Sequence, residues 1–191
     1  MTAGRCAQPI EFETLVAYWL GELPAAAEAA VEEHYFGCAH CARRLEGLAA
    51  LGGSIRAAVR EGKVWGFVTP SFVEHMKREG LRVREYRTSL GERVDCTIRA
   101  DEDAVAGHMR VPLAGVKRLD ILGTLEIEGR QVERWRSEDV PFEPETDEVV
   151  TLPSAAALKE MPANTVRVQL FAVDEAGERL LGEVTFAHTP S

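Results

Sequence analysis

Cys6, His34, Cys38 and Cys41 carry the most specific chemistry in the chain. The last three form a His-x-x-x-Cys-x-x-Cys run. Two residues between cysteines let both sulfurs reach one ion, at about 2.3 Å for zinc. His34 falls in the last turn of a helix, Cys38 in a connection and Cys41 in the first turn of the next helix. The stretch from Cys6 to His34 is long enough for one helix out and one back, which returns the chain to its starting end. Cys6 can therefore complete a Cys3His set. Four ligands fill a tetrahedral ion, so the set reads as a closed structural zinc site rather than a catalytic one. Metal binding would add folding free energy on the order of 10 kcal/mol. A thioredoxin-type redox pair would need a β-α-β setting, and this segment is helical throughout. His34 alone would read as a helix-end histidine favoured by the dipole, and Cys6 sits near a terminus, where chains fray. His40, inside the knuckle, is spaced to point outward.

The elements that must position these ligands are short helices. Phe12, Leu15, Val16, Trp19 and Leu20 mark one helical face, Gly21 can end that helix, and Leu23-Pro24 makes a turn with Pro24 opening the next. Residues 25–36 are strong helix formers, with Ala27, Ala30, Val31 and His34 inward and Gly37 as a stop. A third helical run extends from Ala39 toward Glu61. Gly52-Gly53 is expected to interrupt it, with Ser54 capping a further helix. Some 60 residues of small, alanine-rich helices bury little apolar surface, so a staple would help.

Beyond Val64 the pattern changes. Thr69-Pro70 opens a short helix carrying Phe72, Val73 and Met76 and ending at Gly80. Strands are expected at 81–87, 94–99, 105–113, 118–128, 132–140, 165–173 and 179–187, with a helical turn over 154–160. Seven short strands at this spacing imply an antiparallel sandwich or barrel. The expected fold is α+β, a zinc-binding helical bundle of three to four helices (residues 1–63) followed by an antiparallel sandwich-like domain (64–191).

The chain has 191 residues, 46% of them apolar and 28% charged, and a formal charge of −9. That is globular composition and excludes a disordered or collagen-like chain. An acidic chain is a poor nucleic-acid binder, so no direct nucleic-acid binding is expected. Residues 1–63 carry −2, residues 64–100 carry +2 and residues 101–191 carry −9. The helical part is thus nearly balanced and the acidity belongs to the β-rich part. No targeting signal or membrane span is visible, and a cytoplasmic location is the expectation. There is no Ser-His-Asp set, phosphate-binding glycine loop or carboxylate pair, so the chain is not expected to be an enzyme. His75, Cys96, His108 and His188 share no ligand spacing. Cys96 reads as a core residue and Trp65 and Trp135 as core, although an unknown small-molecule ligand in this domain stays open.

The stretch AYWLGELPAAAEAAVEEHYFGCAHCARRL, with Cys6 before it, resembles the zinc-containing anti-sigma domain. That family's pattern is a cysteine, a helix ending in Gly-x-Leu-Pro, a helix ending in His-x-x-x-Cys-x-x-Cys, and a further helix. The resemblance covers residues 1–62, about a third of the chain. It implies that Cys6, His34, Cys38 and Cys41 hold one zinc ion. It also implies that the helices bind an extracytoplasmic-function sigma factor and block its surfaces for core RNA polymerase. The family's helix after the zinc site, here residues 54–62, packs between sigma domains, which makes Ile55 and Val59 candidate partner contacts. Leu45 and Leu48 on the same stripe read as internal packing. In such proteins a soluble second domain often senses the signal. Two other expectations remain open: the zinc helices could serve a ligand or redox sensor as a docking or dimerisation module, and oxidation could pair Cys6 with Cys38 or Cys41 and expel zinc.

Overall fold

A computed structural model describes residues 6–63 and 65–190. Residues 1–5, Ser191 and Val64, the residue near which the second domain is expected to begin, lie outside the described residues. The chain forms two compact units, Met1–Ala57 and Ala58–Ser191.

The first unit contains α1 (Phe12–Leu20), α2 (Ala25–Gly37) and most of α3 (Ala39–Arg60). Gly21 ends α1 in the left-handed region (φ 71°), and the N–H groups of Gly21 and Glu22 take up the carbonyls of Tyr18 and Ala17. Only glycine enters that conformation without a Cβ penalty. Pro24 is the N-cap of α2 rather than its first residue. Tyr18 donates to Glu32 at 3.2 Å, and its ring lies 5.9 Å from that of Tyr35, which ties α1 to α2.

The expected break at Gly52-Gly53 does not occur: α3 is one helix of 22 residues. Ser54 does not cap a new helix; its hydroxyl donates back to the Ala50 carbonyl at 3.1 Å. Gly52 has a packing reason instead. A Cβ there would lie 2.2 Å from Cζ2 of Trp19, so the missing side chain lets the α1 indole lie against α3. Gly52→Ala should therefore reverse the usual helical preference, which favours alanine by up to about 1 kcal/mol. We expect a loss of about 1–3 kcal/mol from overpacking, read as a lower melting temperature of the full chain; a raised one would refute this role.

The second unit contains β1 (Gly66–Val68), α4 (Pro70–Arg78), β2 (Val83–Ser89), β3 (Arg93–Cys96), β4 (Ala104–Arg110), β5 (Arg118–Ile127) and β6 (Arg130–Ser137). It ends with β7 (Glu148–Leu152), α5 (Ala155–Glu160), β8 (Asn164–Asp174) and β9 (Gly177–His188). Thr69 caps α4 through the Phe72 N–H, and Ser154 caps α5 through the Ala157 N–H. The strands form a four-stranded sheet, β1-β7-β4-β2, and a five-stranded sheet, β3-β9-β8-β5-β6. The shared core draws on both, with Met109 and Val149 from the first and Ile121, Leu170 and Val184 from the second. The whole is α+β, with the helical unit first.

The sheets are mixed rather than purely antiparallel. β2 pairs parallel with β4, and β3 pairs parallel with β9. β2 and β3 are separated by the tight turn at Gly91 (φ 83°) but join different sheets, so each takes a partner distant in sequence. The hairpins themselves follow local rules. Glu128 (φ 52°) and Gly129 (φ 73°) make the two-residue turn between β5 and β6. β1 and β7 were not expected. β7 lies inside its sheet and buries Val149 and Val150, successive residues on opposite faces. That removes the alternation by which a half-buried strand is read.

Candidate metal centre

The segment carrying Cys6 is tied to α3 by the Arg44 guanidinium, which donates to the Ile10 carbonyl. The α1–α2 pair then returns the chain so that His34, in the last turn of α2, faces Cys6. Nε2 of His34 is 3.5 Å from Sγ of Cys6. Cys38 caps α2 and precedes α3, and Cys41 lies in the first turn of α3. The four donor atoms lie within 4.8 Å of one another. Cys41 is completely buried, while Cys6, His34 and Cys38 are half-buried. His40, expected to point outward, is not among the converging donors.

The electrostatics of this corner fit a cation. The Cys38 sulfur accepts the Cys41 backbone N–H, with further help from the His40 N–H, and its pKa falls to about 6. A helix N-terminus stabilises a thiolate in this way. Burial, together with the neighbouring Cys38 and Cys41 sulfurs, pushes the Cys6 thiol the other way. The donors thus share one negative region, and a positive ion would let them ionise together. The Cys3His group could hold one metal ion.

The other residues singled out by sequence are dispersed. Ile55 is half-buried, and Val59, at 4% exposure, offers little free surface. Leu45 is half-buried, Leu48 is buried and Leu51 is exposed. His108 lies between Glu148, at 3.0 Å, and Glu85, at 3.2 Å. His75 is buried in α4. Cys96 donates its thiol to the Ala187 carbonyl at 3.4 Å. The sequence reading missed the positioning contacts: Arg44 on Ile10, Tyr18 on Glu32 and Trp19 on Gly52. Only the glycine carried a local signal, and it pointed to a helix break.

No protein-family model matches the chain, and neither does any curated protein. Among solved structures, the chain is similar to the N-terminal domain of phage TP901-1 ORF48 at 15% identity and a TM-score of 0.37. That similarity covers 57% of this chain and 98% of that one. A likeness this remote carries no argument about function. Among the described residues, no helix is long and apolar enough to cross a membrane.

Proposed function

We propose that the chain is a zinc-containing anti-sigma factor. Its helical unit would bind an extracytoplasmic-function sigma factor and keep it from core RNA polymerase. The observation that carries this reading is the convergence of Cys6, His34, Cys38 and Cys41 at one helix–helix corner, in the order of the motif that resembles the family. Zinc is the natural ion for three thiolates and an imidazole. A tetrahedral zinc ion places a sulfur and a nitrogen ligand about 3.6 Å apart, close to the 3.5 Å between Cys6 and His34. With four protein ligands the ion has no open position, so its role is to fix the geometry of the helices.

Partner binding is supported by the surface of the same unit. Phe12, Phe36 and Leu51 are exposed, Phe36 by 77%. Large apolar side chains left in water are candidate contacts for a protein partner. With a charge of only −2 over residues 1–63, recognition would rest on apolar shape more than bulk charge.

The test is co-purification of the full-length, zinc-loaded chain with the extracytoplasmic-function sigma factors of its own genome. Stable retention of one of them, lost on zinc removal, is the expected result. Retention of none would end the anti-sigma reading while leaving the metal site standing.

A further inference from the structure

The β-rich unit forms a half-open cavity of about 290 Å³, lined by residues of both sheets and of α5. That is near the lower end of the range of small-molecule pockets, about 300–1,000 Å³. Its wall is largely apolar and includes the rings of Phe67, Tyr86, Trp135 and Phe186. Trp65 meets Trp135 edge-on, centroids 6.1 Å apart, and is 60% exposed. The two tryptophans expected as core are therefore part of this wall. Gly123 on β5 has no side chain because the Trp135 ring occupies the space, 2.2 Å from where a Cβ would stand.

Three polar atoms of the lining are buried without a hydrogen-bond partner: Nε1 of Trp135, Oδ1 of Asn164 and Nε2 of His188. Asn164 is 7% exposed and His188 4%. Buried polar groups are nearly always paired, so three orphans in one cavity point to something that pairs them. Their chemistry is defined. Asn164 donates through Nδ2 to the Pro162 carbonyl at 2.9 Å, which leaves Oδ1 as an acceptor. Burial holds His188 toward its neutral form, and the opposing influence is the Leu158 backbone. A ring N–H directed there leaves Nε2 as an acceptor too. Sheet register puts these acceptors side by side, since Asn164 faces His188 across β8 and β9.

The same row continues to Cys96, which faces His188 across β9 and β3. Cysteine, histidine and asparagine in one row suggest a nucleophile, but the thiol is committed to the Ala187 carbonyl. Burial also pushes its pKa up to about 11. Cys96 is thus a neutral thiol, and the row is suited to binding. Among the described residues, no lysine or arginine lines the cavity, and Glu133 is its one acidic residue. An anion would meet no counter-charge there.

We propose that this cavity binds a neutral, mainly apolar small molecule whose hydroxyl or N–H hydrogens are donated one each to Oδ1 of Asn164 and Nε2 of His188. Trp135 offers the matching donor to an acceptor on the same molecule. The site lies wholly within the β-rich unit and does not depend on the sigma-factor reading.

The test titrates the full-length, metal-loaded, 15N-labelled chain with 4-propylphenol, propylbenzene and 4-propylbenzoate, following the Trp135 indole N–H. The phenol should shift that resonance, and the benzoate should bind at least about tenfold more weakly. Of Asn164→Leu and His188→Leu, the one that removes the acceptor of the single phenol O–H should weaken the phenol by about tenfold, and both should leave propylbenzene within about twofold. Ala157 lines the cavity from α5 but is exposed, so Ala157→Trp should block both probes without disturbing the core. This variant keeps the cavity testable if the leucine variants do not fold. The proposal fails if no probe moves the Trp135 resonance, or if the benzoate equals the phenol. Equal weakening of phenol and hydrocarbon by the leucine variants would also overturn it, as would retained binding in Ala157→Trp.

Discussion

Removing the metal from the full-length chain, by chelation or by Cys41→Ser, is expected to abolish the folded state of the helical unit while the β-rich unit keeps its own transition. The helical unit has a thin core: Leu15, Val31, Cys41 and Leu48 are its buried apolar side chains among the described residues. Structural zinc supplies roughly 10 kcal/mol or more to such small domains, which exceeds the whole stability of most of them. Cys41 is the informative ligand because it is fully buried; serine there removes the thiolate and strands a hydroxyl. Far-ultraviolet circular dichroism with and without chelator should show a loss of helical signal and the disappearance of the less stable transition. Cys96→Ser is the control, since it touches a thiol on β3 outside the metal set. Identical melting curves with and without chelator would refute a structural role for the ion.

The second large effect concerns a carboxylate. Asp120 of β5 is fully buried and accepts from both nitrogens of an Arg118 fork, at 2.9 and 2.8 Å, and from Arg136 at 2.7 Å. It also accepts the Asp139 backbone N–H at 3.1 Å. Arg136 is itself steadied by an ion pair to Glu178 and by the Phe171 ring, 5.9 Å beneath its guanidinium. Asp120→Asn keeps the volume but leaves two cations without their shared anion. Breaking a buried pair costs about 3–5 kcal/mol. Both arginines reach solvent, 42% and 31% exposed, so we expect about 2–3 kcal/mol. Urea unfolding of the β-rich transition measures it. The pH dependence follows from the sign of the shift. Arg118 first, then Arg136, hold the Asp120 carboxyl well below the usual carboxylate range. A carboxyl whose folded pKa is lowered contributes its full stability above the unfolded value, about 3.9, and loses it as pH falls further. The difference between the native chain and Asp120→Asn should therefore shrink below about pH 4. A difference that stays constant from neutral pH to pH 3 would show that the charge of Asp120 is not what stabilises β5.

The helical unit was far more legible than the β-rich one. Helix ends carry local signals, and Gly21 and the Thr69 cap of α4 act where the sequence places them. The β8–β9 hairpin was legible for the same reason, since Asp174-Glu175-Ala176-Gly177 closes it within four adjacent residues. Legibility ended where an element's setting depends on distant partners. β7 is read as nothing in particular until β1 and β4 flank it. Gly52 was misread because its reason, the Trp19 indole, lies on another helix. Parallel pairing of β2 with β4 and of β3 with β9 cannot be anticipated from a hairpin turn that divides its strands between sheets.

By itself the sequence determined the donor set, because His34, Cys38 and Cys41 are neighbours within one helix–turn–helix and their spacing is their geometry. Cys6 needed only the return of one helix pair to join them. Tertiary structure alone decided the rest. It placed Asn164, His188 and Cys96 in one row along an apolar cavity, and it sank Asp120 between two arginines. The physical reason is the same in each case. Helical positions are fixed by hydrogen bonds to residues four apart, whereas a sheet row is fixed by register between strands that the sequence keeps far from one another.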